Sequence, residues 1–594
     1  MVQVKPMVEV DESPADAAGR LALERMYACL DEERSFRLEA GAGAGKTYSL
    51  DKALRHLIEK SGTELLRKRQ QIGCITYTNV AKDEIAARVK AHPAVRPETI
   101  HGFCWSILQD FQGTLRQMVP LLPGWGERLE PHEGIQARRV HYELGFATVR
   151  DNLVSLRHED VLLLMIEAMK LEKFRALLTA RFPILFIDEY QDTDARFVDA
   201  LKEWFLDTGN GPIIGLFGDH WQKIYGDGSG AVEHAALHVI DKNANFRSVD
   251  AIVQVLNRMR PALVQQVSDP DAPGEARVFH TNNWTGVRRT GQGGGHWTGD
   301  TTAEAAKAYF ELIKSQLAGE GWDFATDKTK ILMLSHSVLA REQGYAGIPP
   351  IYGQFNEPWL KKEDAHIKFL CDSFEPACAA FSAHRYGEMF DMFGAGMPNI
   401  RRHADKIAWN TSMNALIALR ASGSVGDVID FIAAQPHMRL PEPVKAREER
   451  LAEVGVEPLD GEPRTVTQLR KLRAVPYVEV MALDRFIDGH TPFATKHGVK
   501  GAEFENVLVV IGRGWNKYNF VQMLEWFDNG PPADKGEFFE SNRNLLYVAC
   551  SRPKVRLALL FTQLVSEAAL TKLNSVFGQA NVHALAAEPT QIVG

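Results

Sequence analysis

The chain has 594 residues, more than a single hydrophobic core usually supports, so several domains are expected, and its 45% hydrophobic and 24% charged residues exclude wholesale disorder. A net charge of −8 excludes a surface coated in basic residues for nonspecific nucleic-acid binding, though not a local basic groove. The N-terminus lacks an apolar stretch of signal-peptide length and no run of ~18 uncharged apolar residues occurs, so a cytoplasmic protein with no membrane partner is expected.

In chain order, Ser13-Pro14 opens an amphipathic helix to about Leu30, with serine as N-cap and proline at the first helical position. Strand-like "SFRLE" then runs into "AGAGAGKT", and buried strands are expected at 72–78, 184–190, 213–219 and 507–513. Several are followed by helical patterns such as "VAKDEIAARVKA", an alternation that predicts parallel α/β layers. Residues 106–181 read as mostly helical, 265–300 as a weaker region with a glycine-rich loop or linker, 330–337 as a strand, and 355–475 as helical and irregular. The six scattered cysteines form no CxxC pair, which argues against metal clusters and disulfide frameworks.

The segment Ala40-Gly41-Ala42-Gly43-Ala44-Gly45-Lys46-Thr47 fits the phosphate-loop pattern G-x-x-x-x-G-K-[ST] with alanine in the first place. Small residues let backbone N–H groups surround a phosphate at a helix N-terminus. Lys46 supplies charge to the β and γ oxygens, and the Thr47 hydroxyl suits Mg²⁺. Asp188-Glu189 ends a buried strand; the aspartate can hold Mg²⁺ and the glutamate can activate water. Another strand ends in "GDHWQKIY", where Gln222 is placed to sense a γ-phosphate. Arg247 and Arg552 are candidates for stabilising transferred-phosphoryl charge, a role typically worth ~10³–10⁵ in rate.

Eight blocks, "AGAGAGKT", "ITYTNVAKDEI", "TIHGFC", "LFIDEYQDTD", "GDHWQKIYG", "NFRS", "TKHGVKGAEFENV" and "NLLYVACSRPKVRLAL", occur in the order found in superfamily 1 DNA helicases of the UvrD/Rep/PcrA type, which the chain resembles from about residue 40 to 560. The resemblance implies an α/β fold of two RecA-like P-loop motor domains with parallel sheets, each carrying a mainly helical insertion. It places domain 1A at 1–105 and 182–250, insertion 1B at 106–181, domain 2A at 251–350 and 480–575, and insertion 2B at 351–479. It further implies ATP and Mg²⁺ as cofactors, with Gln222, Arg247 and Arg552 on the γ-phosphate, Glu503 near the ribose or phosphates, and Tyr48 and Phe246 around the adenine. Single-stranded DNA would meet Tyr77, Thr78, Asn79, His101, Tyr225, Thr495 and His497, by base stacking and backbone contacts. The implied activity is ATP-driven translocation on single-stranded DNA with 3′→5′ unwinding of 3′-tailed duplexes.

Two departures stand out. Residues 11–40 hold no glutamine of the kind that reads adenine in this family, and the usual Trp-Arg after Ile-Tyr is replaced by "GDGSGA", removing a base-stacking platform unless Trp221 takes its place. A self-contained helicase-nuclease is disfavoured, because no D…ExK constellation stands outside the ATPase motifs. The compact length loosely resembles the helicase subunits of bacterial anti-phage systems such as Gabija. That alternative is a DNA-gated regulatory ATPase working beside a separate nuclease or another repair or defence protein.

Overall fold

The computed structural model describes residues 12–142, 147–223, 226, 228–290, 298–333, 340, 343–352, 358–360, 362–393, 400, 402–455, 462–487, 493–494, 503–512 and 518–589. The chain forms two compact units. One comprises Met1–Val278, Lys517–Ala558 and Val565–His583, the other Phe279–Asn516, Leu559–Leu564 and Ala584–Gly594.

The first unit opens with α1 (Pro14–Asp31), capped by the Ser13 side chain with Pro14 in the first turn, as its sequence predicts. A parallel six-stranded sheet follows, built from β1 (Phe36–Ala40), β2 (Ile72–Thr76), β3 (Val95–Thr99), then β7 (Ile184–Asp188), β8 (Ile213–Gly218) and β9 (His238–Lys242), in the order β3-β2-β7-β8-β1-β9. Its inner strands β2, β7, β8 and β1 are almost wholly buried because helices cover both faces, whereas the edge strands β3 and β9 carry polar, partly exposed residues. Phe36, Phe186 and Phe217, from β1, β7 and β8, meet edge to face with ring centroids 5.3 to 6.2 Å apart. Such pairs add about 0.5–1.5 kcal/mol each beyond area burial, which fixes the register of the strands that carry the phosphate-loop chemistry.

Helices α2 (Lys46–Arg67), α3 (Asn79–Arg88) and α4 (Ile100–Leu108) leave the C-terminal ends of β1, β2 and β3. The region 106–181 is helical at His158–Met169 and Glu172–Arg181. It also carries a small sheet of β4 (Arg139–Tyr142), β5 (Thr148–Val149) and β6 (Leu153–Leu156), which the helical reading did not include. Two more helices complete the parts of this unit used below, α5 (Asp250–Met259) and α6 (Gly536–Cys550).

In the second unit, β10 (Thr329–Met333) pairs in parallel with β11 (Phe493–Ala494) and with β12 (Phe504–Ile511), matching the start of the strand expected at 330–337 and most of that expected at 507–513, while 334–337 and 513 lie outside the described residues. Between 365 and 487 the described residues are mainly helical, the longest helix being His403–Ser422. The Glu375 carboxylate, 7% exposed, accepts hydrogen bonds there from Arg420 and from the Tyr477 hydroxyl. All six cysteines are buried free thiols. Among the described residues, no helix is long and apolar enough to cross a membrane.

Candidate functional site

Because all six strands of the large sheet run in parallel, the loops after β1, β2, β3, β7 and β8 emerge at one edge of it, the edge where α/β folds place ligands. After β1, Gly43 and Gly45 adopt φ of +75° and +74°, a left-handed geometry that a side chain would strain. Gly45 precedes α2, whose N-terminus receives no side-chain cap, so the first-turn N–H groups are left for an anion at the positive end of a 22-residue helix.

Lys46 lies 12% exposed, with its ammonium 3.5 Å from Glu189 Oε2. Glu189 itself sits at φ +50°, an uncommon backbone state for a non-glycine residue, directly after buried Asp188 at the end of β7. Thr47 and Asp188 thus stand at the same sheet edge, and hydroxyl and carboxylate oxygens are the hard donors Mg²⁺ takes.

Gln191 Nε2 donates to Glu189, and its Oε1 accepts from the Asp219 N–H at 3.0 Å. This ties the acidic turn after β7 to the turn after β8. There Gln222, 4% exposed, donates from Nε2 to Asp219 Oδ2 at 2.7 Å and accepts from Arg552 Nη2 at 3.0 Å. Arg552, at 1% exposure the most deeply buried arginine among the described residues, gives its remaining hydrogen bonds to Val548 O and Ser551 Oγ, all neutral oxygens. Burial and the like charge of Arg247 push its pKa down to about 9, with Glu189 acting in the opposite sense. Arg247 donates to Ser551 O at 3.0 Å. Two guanidinium groups and an amide therefore cluster near Glu189, the partner of Lys46, all inside the first unit, a concentration of positive charge suited to an anion.

The segment 245–248 closes on the phosphate loop. Phe246 N–H donates to Gly43 O at 2.9 Å, and Asn245 Nδ2 and Gln265 Nε2 both donate to Ala42 O at 3.0 Å. A side chain on Gly43 would strike Asn245 and Arg247. Ala40, Ala42 and Ala44 are buried and Gly41 packs against Gln265. Tyr48 and Phe246, both nearly half exposed, flank the Lys242 ammonium at 5.6 and 5.8 Å from their ring centroids. Lys242 also donates to Gly45 O and Ser49 Oγ, and burial pushes its pKa down to about 8.

Just after β2, Tyr77 is 47% exposed and Thr78 caps α3, with Asn79 exposed at the first helical position. His101, in α4, stacks edge-on against His158 at 4.9 Å; burial and His158 push its pKa down to about 4, leaving a neutral ring at neutral pH. Thr76 pairs with Thr99 in the sheet register, which places both groups at neighbouring strand ends. Glu503 is exposed one residue before β12 in the second unit, and Tyr225, Thr495 and His497 lie outside the described residues. The Trp221 ring is covered by the Arg543 guanidinium at 4.1 Å and approached by Arg260 at 5.5 Å, so it is not open for base stacking.

Sequence reasoning missed Lys242, Gln265 and Arg260, and it passed over Asn245 although that residue opens the quoted "NFRS" block. Glu39 also left a signal, a carboxylate inside the strand that leads into the phosphate loop.

Comparison with known proteins agrees with this geometry. Residues 28–227 match a family model described as an AAA domain. The chain is also similar to the Gabija protein GajB of Bacillus cereus (strain HuB5-5), 22% identical over a 696-residue alignment that covers 94% of this chain and 97% of that protein. These findings support a helicase-like ATPase with an α/β fold of the RecA-like P-loop kind.

Proposed function

We infer that the chain is a DNA-stimulated ATPase that translocates along single-stranded DNA and unwinds 3′-tailed duplexes in the 3′→5′ direction. The observation that carries this reading is the convergence of Arg247, Arg552 and Gln222 on the side of the phosphate loop where Lys46 meets Glu189. In it, the N–H groups opening α2 and Lys46 hold the β- and γ-phosphates. Thr47 and Asp188 hold Mg²⁺, which neutralises phosphate charge when bound. Glu189 accepts the proton of the attacking water, oriented by Gln191, and the two arginines stabilise charge on the equatorial oxygens. Tyr48 and Phe246 stack on the base, Glu503 serves the ribose or phosphates, and Tyr77, Thr78, Asn79, His101, Tyr225, Thr495 and His497 meet the DNA. The proposed domains are two RecA-like motors with insertions at 106–181 and 351–479.

ATPase rates with and without single-stranded DNA, followed by unwinding of 3′-tailed against 5′-tailed duplexes, test this. Strong DNA stimulation with 3′-tail preference supports the motor; absence of both rejects it.

A second reading, a DNA-gated ATPase that controls a separate nuclease in phage defence, is favoured by the similarity to a Gabija protein along nearly the whole chain and by the covered Trp221 ring. Under it, the purified chain hydrolyses ATP without separating strands and co-purifies with its nuclease. Robust unwinding by the chain alone would reject it.

A further inference from the structure

A buried ionic cluster lies behind the candidate site, and it joins Asp219, His220 and Tyr190, from the quoted motif blocks, to Glu39 and Arg260, which stand outside them. Arg260, 3% exposed and just after α5, reaches Glu39 Oε1 at 2.6 Å and Asp219 Oδ1 at 2.7 Å. Glu39, also 3% exposed, further accepts from His220 Nδ1 at 2.7 Å and from the Tyr190 hydroxyl at 2.5 Å. Burial alone would raise the Glu39 pKa, but the His220 hydrogen bond and the charges of His220 and Arg260 hold it well below the carboxylate range. Glu39, Asp219 and His220 offer ligand atoms close enough for a metal ion. The Arg260 guanidinium bonds both carboxylates and already supplies the positive charge there.

Buried ion pairs contribute little net stability, because desolvation offsets their attraction. Their geometry is what distinguishes this one. Glu39 immediately precedes the phosphate loop. Asp219 holds Arg260 with one oxygen and the Gln222 amide with the other, and Gln222 in turn meets Arg552. The Tyr547 ring, from α6, packs edge-on against Trp221 at 5.4 Å, beside the Arg260 guanidinium. An unbroken chain of side-chain contacts runs from Glu39 through Arg260, Asp219 and Gln222 to Arg552.

We propose that Arg260 is a positioning residue that fixes the Gln222 amide relative to the phosphate loop, so that Gln222 and Arg552 meet the terminal phosphate in register. This rests on the ATPase reading above. Gln222 has one rotatable amide, and its acceptor faces Arg552 only while its donor is held by Asp219. Asp219 is held in turn by the rigid fork of Arg260, which a lysine ammonium cannot reproduce across two carboxylates.

The test measures steady-state ATP turnover, with saturating single-stranded DNA, for Arg260→Lys, Gln222→Ala and the double variant. Equilibrium binding of a fluorescent ATP analogue and thermal unfolding are measured in parallel. Arg260→Lys should lower kcat at least 10-fold while KM and analogue affinity change less than 3-fold. The double variant should turn over within 2-fold of Gln222→Ala alone, because the arginine acts through the glutamine. Factors that multiply in the double variant, or a kcat unchanged by Arg260→Lys, overturn the proposal. Should Arg260→Lys fail to fold, Asp219→Asn replaces it, removing an acceptor while Arg260 keeps Glu39, and the same non-multiplication with Gln222→Ala is required. Lys46→Ala separates the two levels: if it leaves ATP turnover intact the ATPase reading itself falls, whereas multiplying factors with an inactive Lys46→Ala defeat only the role of Arg260.

Discussion

Replacing Arg552 by methionine should make the nucleotide-free protein more stable and nearly inactive at once. The guanidinium is 1% exposed, and burial, together with Arg247, has moved its pKa far below the ordinary arginine value, to about 9. At ~1.4 kcal/mol per unit, holding the charge there costs roughly 5 kcal/mol. Against this, Gln222 Oε1 and Ser551 Oγ lose a donor, but Val548 O retains the Ser551 hydroxyl and Gln222 retains Asp219. At about 1 kcal/mol per lost neutral-acceptor bond the loss is about 2–3 kcal/mol, leaving a net gain of roughly 2 kcal/mol. The arginine is tolerated because a polyanion neutralises it in the working state, where its loss should lower turnover by ~10³ or more. Denaturant unfolding without nucleotide, thermal shift on adding Mg²⁺ and a non-hydrolysable ATP analogue, and steady-state ATPase together check this. The variant should start from a higher melting temperature and gain less from nucleotide than the wild type. A variant less stable than wild type, or one turning over within tenfold of it, would show that the buried charge serves the fold rather than the phosphate.

Lys46→Ala should abolish hydrolysis and weaken nucleotide affinity, read by ATPase and analogue titration; near-normal turnover removes the phosphate loop from the mechanism. Glu189→Gln should keep nucleotide binding while stopping turnover, since the amide occupies the same volume but cannot take a proton. For Lys242, the folded pKa of about 8 lies below its ordinary 10.5, so between those values only the unfolded chain still holds the proton, and stability must rise with pH. The wild type should therefore gain stability relative to Lys242→Met as pH rises from 8 towards 10, measured by denaturant unfolding, and a flat difference would contradict the burial of its charge. Tyr77→Ala should weaken single-stranded DNA binding by about 1–3 kcal/mol with little sequence dependence, as fluorescence anisotropy would record, if the exposed ring stacks on a base.

What the sequence reveals here is what is local. The helix start at Ser13-Pro14, the glycine geometry before Lys46, the apolar strands around 72, 184, 213 and 507, and the carboxylates that end β7 each depend on residues within a few positions. The short strands between 139 and 156 escape that reading because four-residue ladders need each other for their signal, and the flanking helices dominate the composition. Arg260 meets Glu39 across 221 positions, Lys242 meets Gly45 across 197, and Arg552 meets Gln222 across 330. Nothing in the neighbourhood of "NRMRPAL" distinguishes its buried arginine from a solvated one. The pairing exists only once the sheet order has brought β1 beside β8, a tertiary fact that local propensity does not encode.

The buried state of all six thiols has a practical consequence for watching the protein work. Burial raises the pKa of Cys74, Cys104 and Cys550, so little thiolate forms on them at neutral pH and maleimide dyes have scant access. A pair of cysteines introduced on exposed helical surface, one in each unit, can be labelled for energy-transfer measurements on the otherwise native chain, with no prior removal of thiols from its interior.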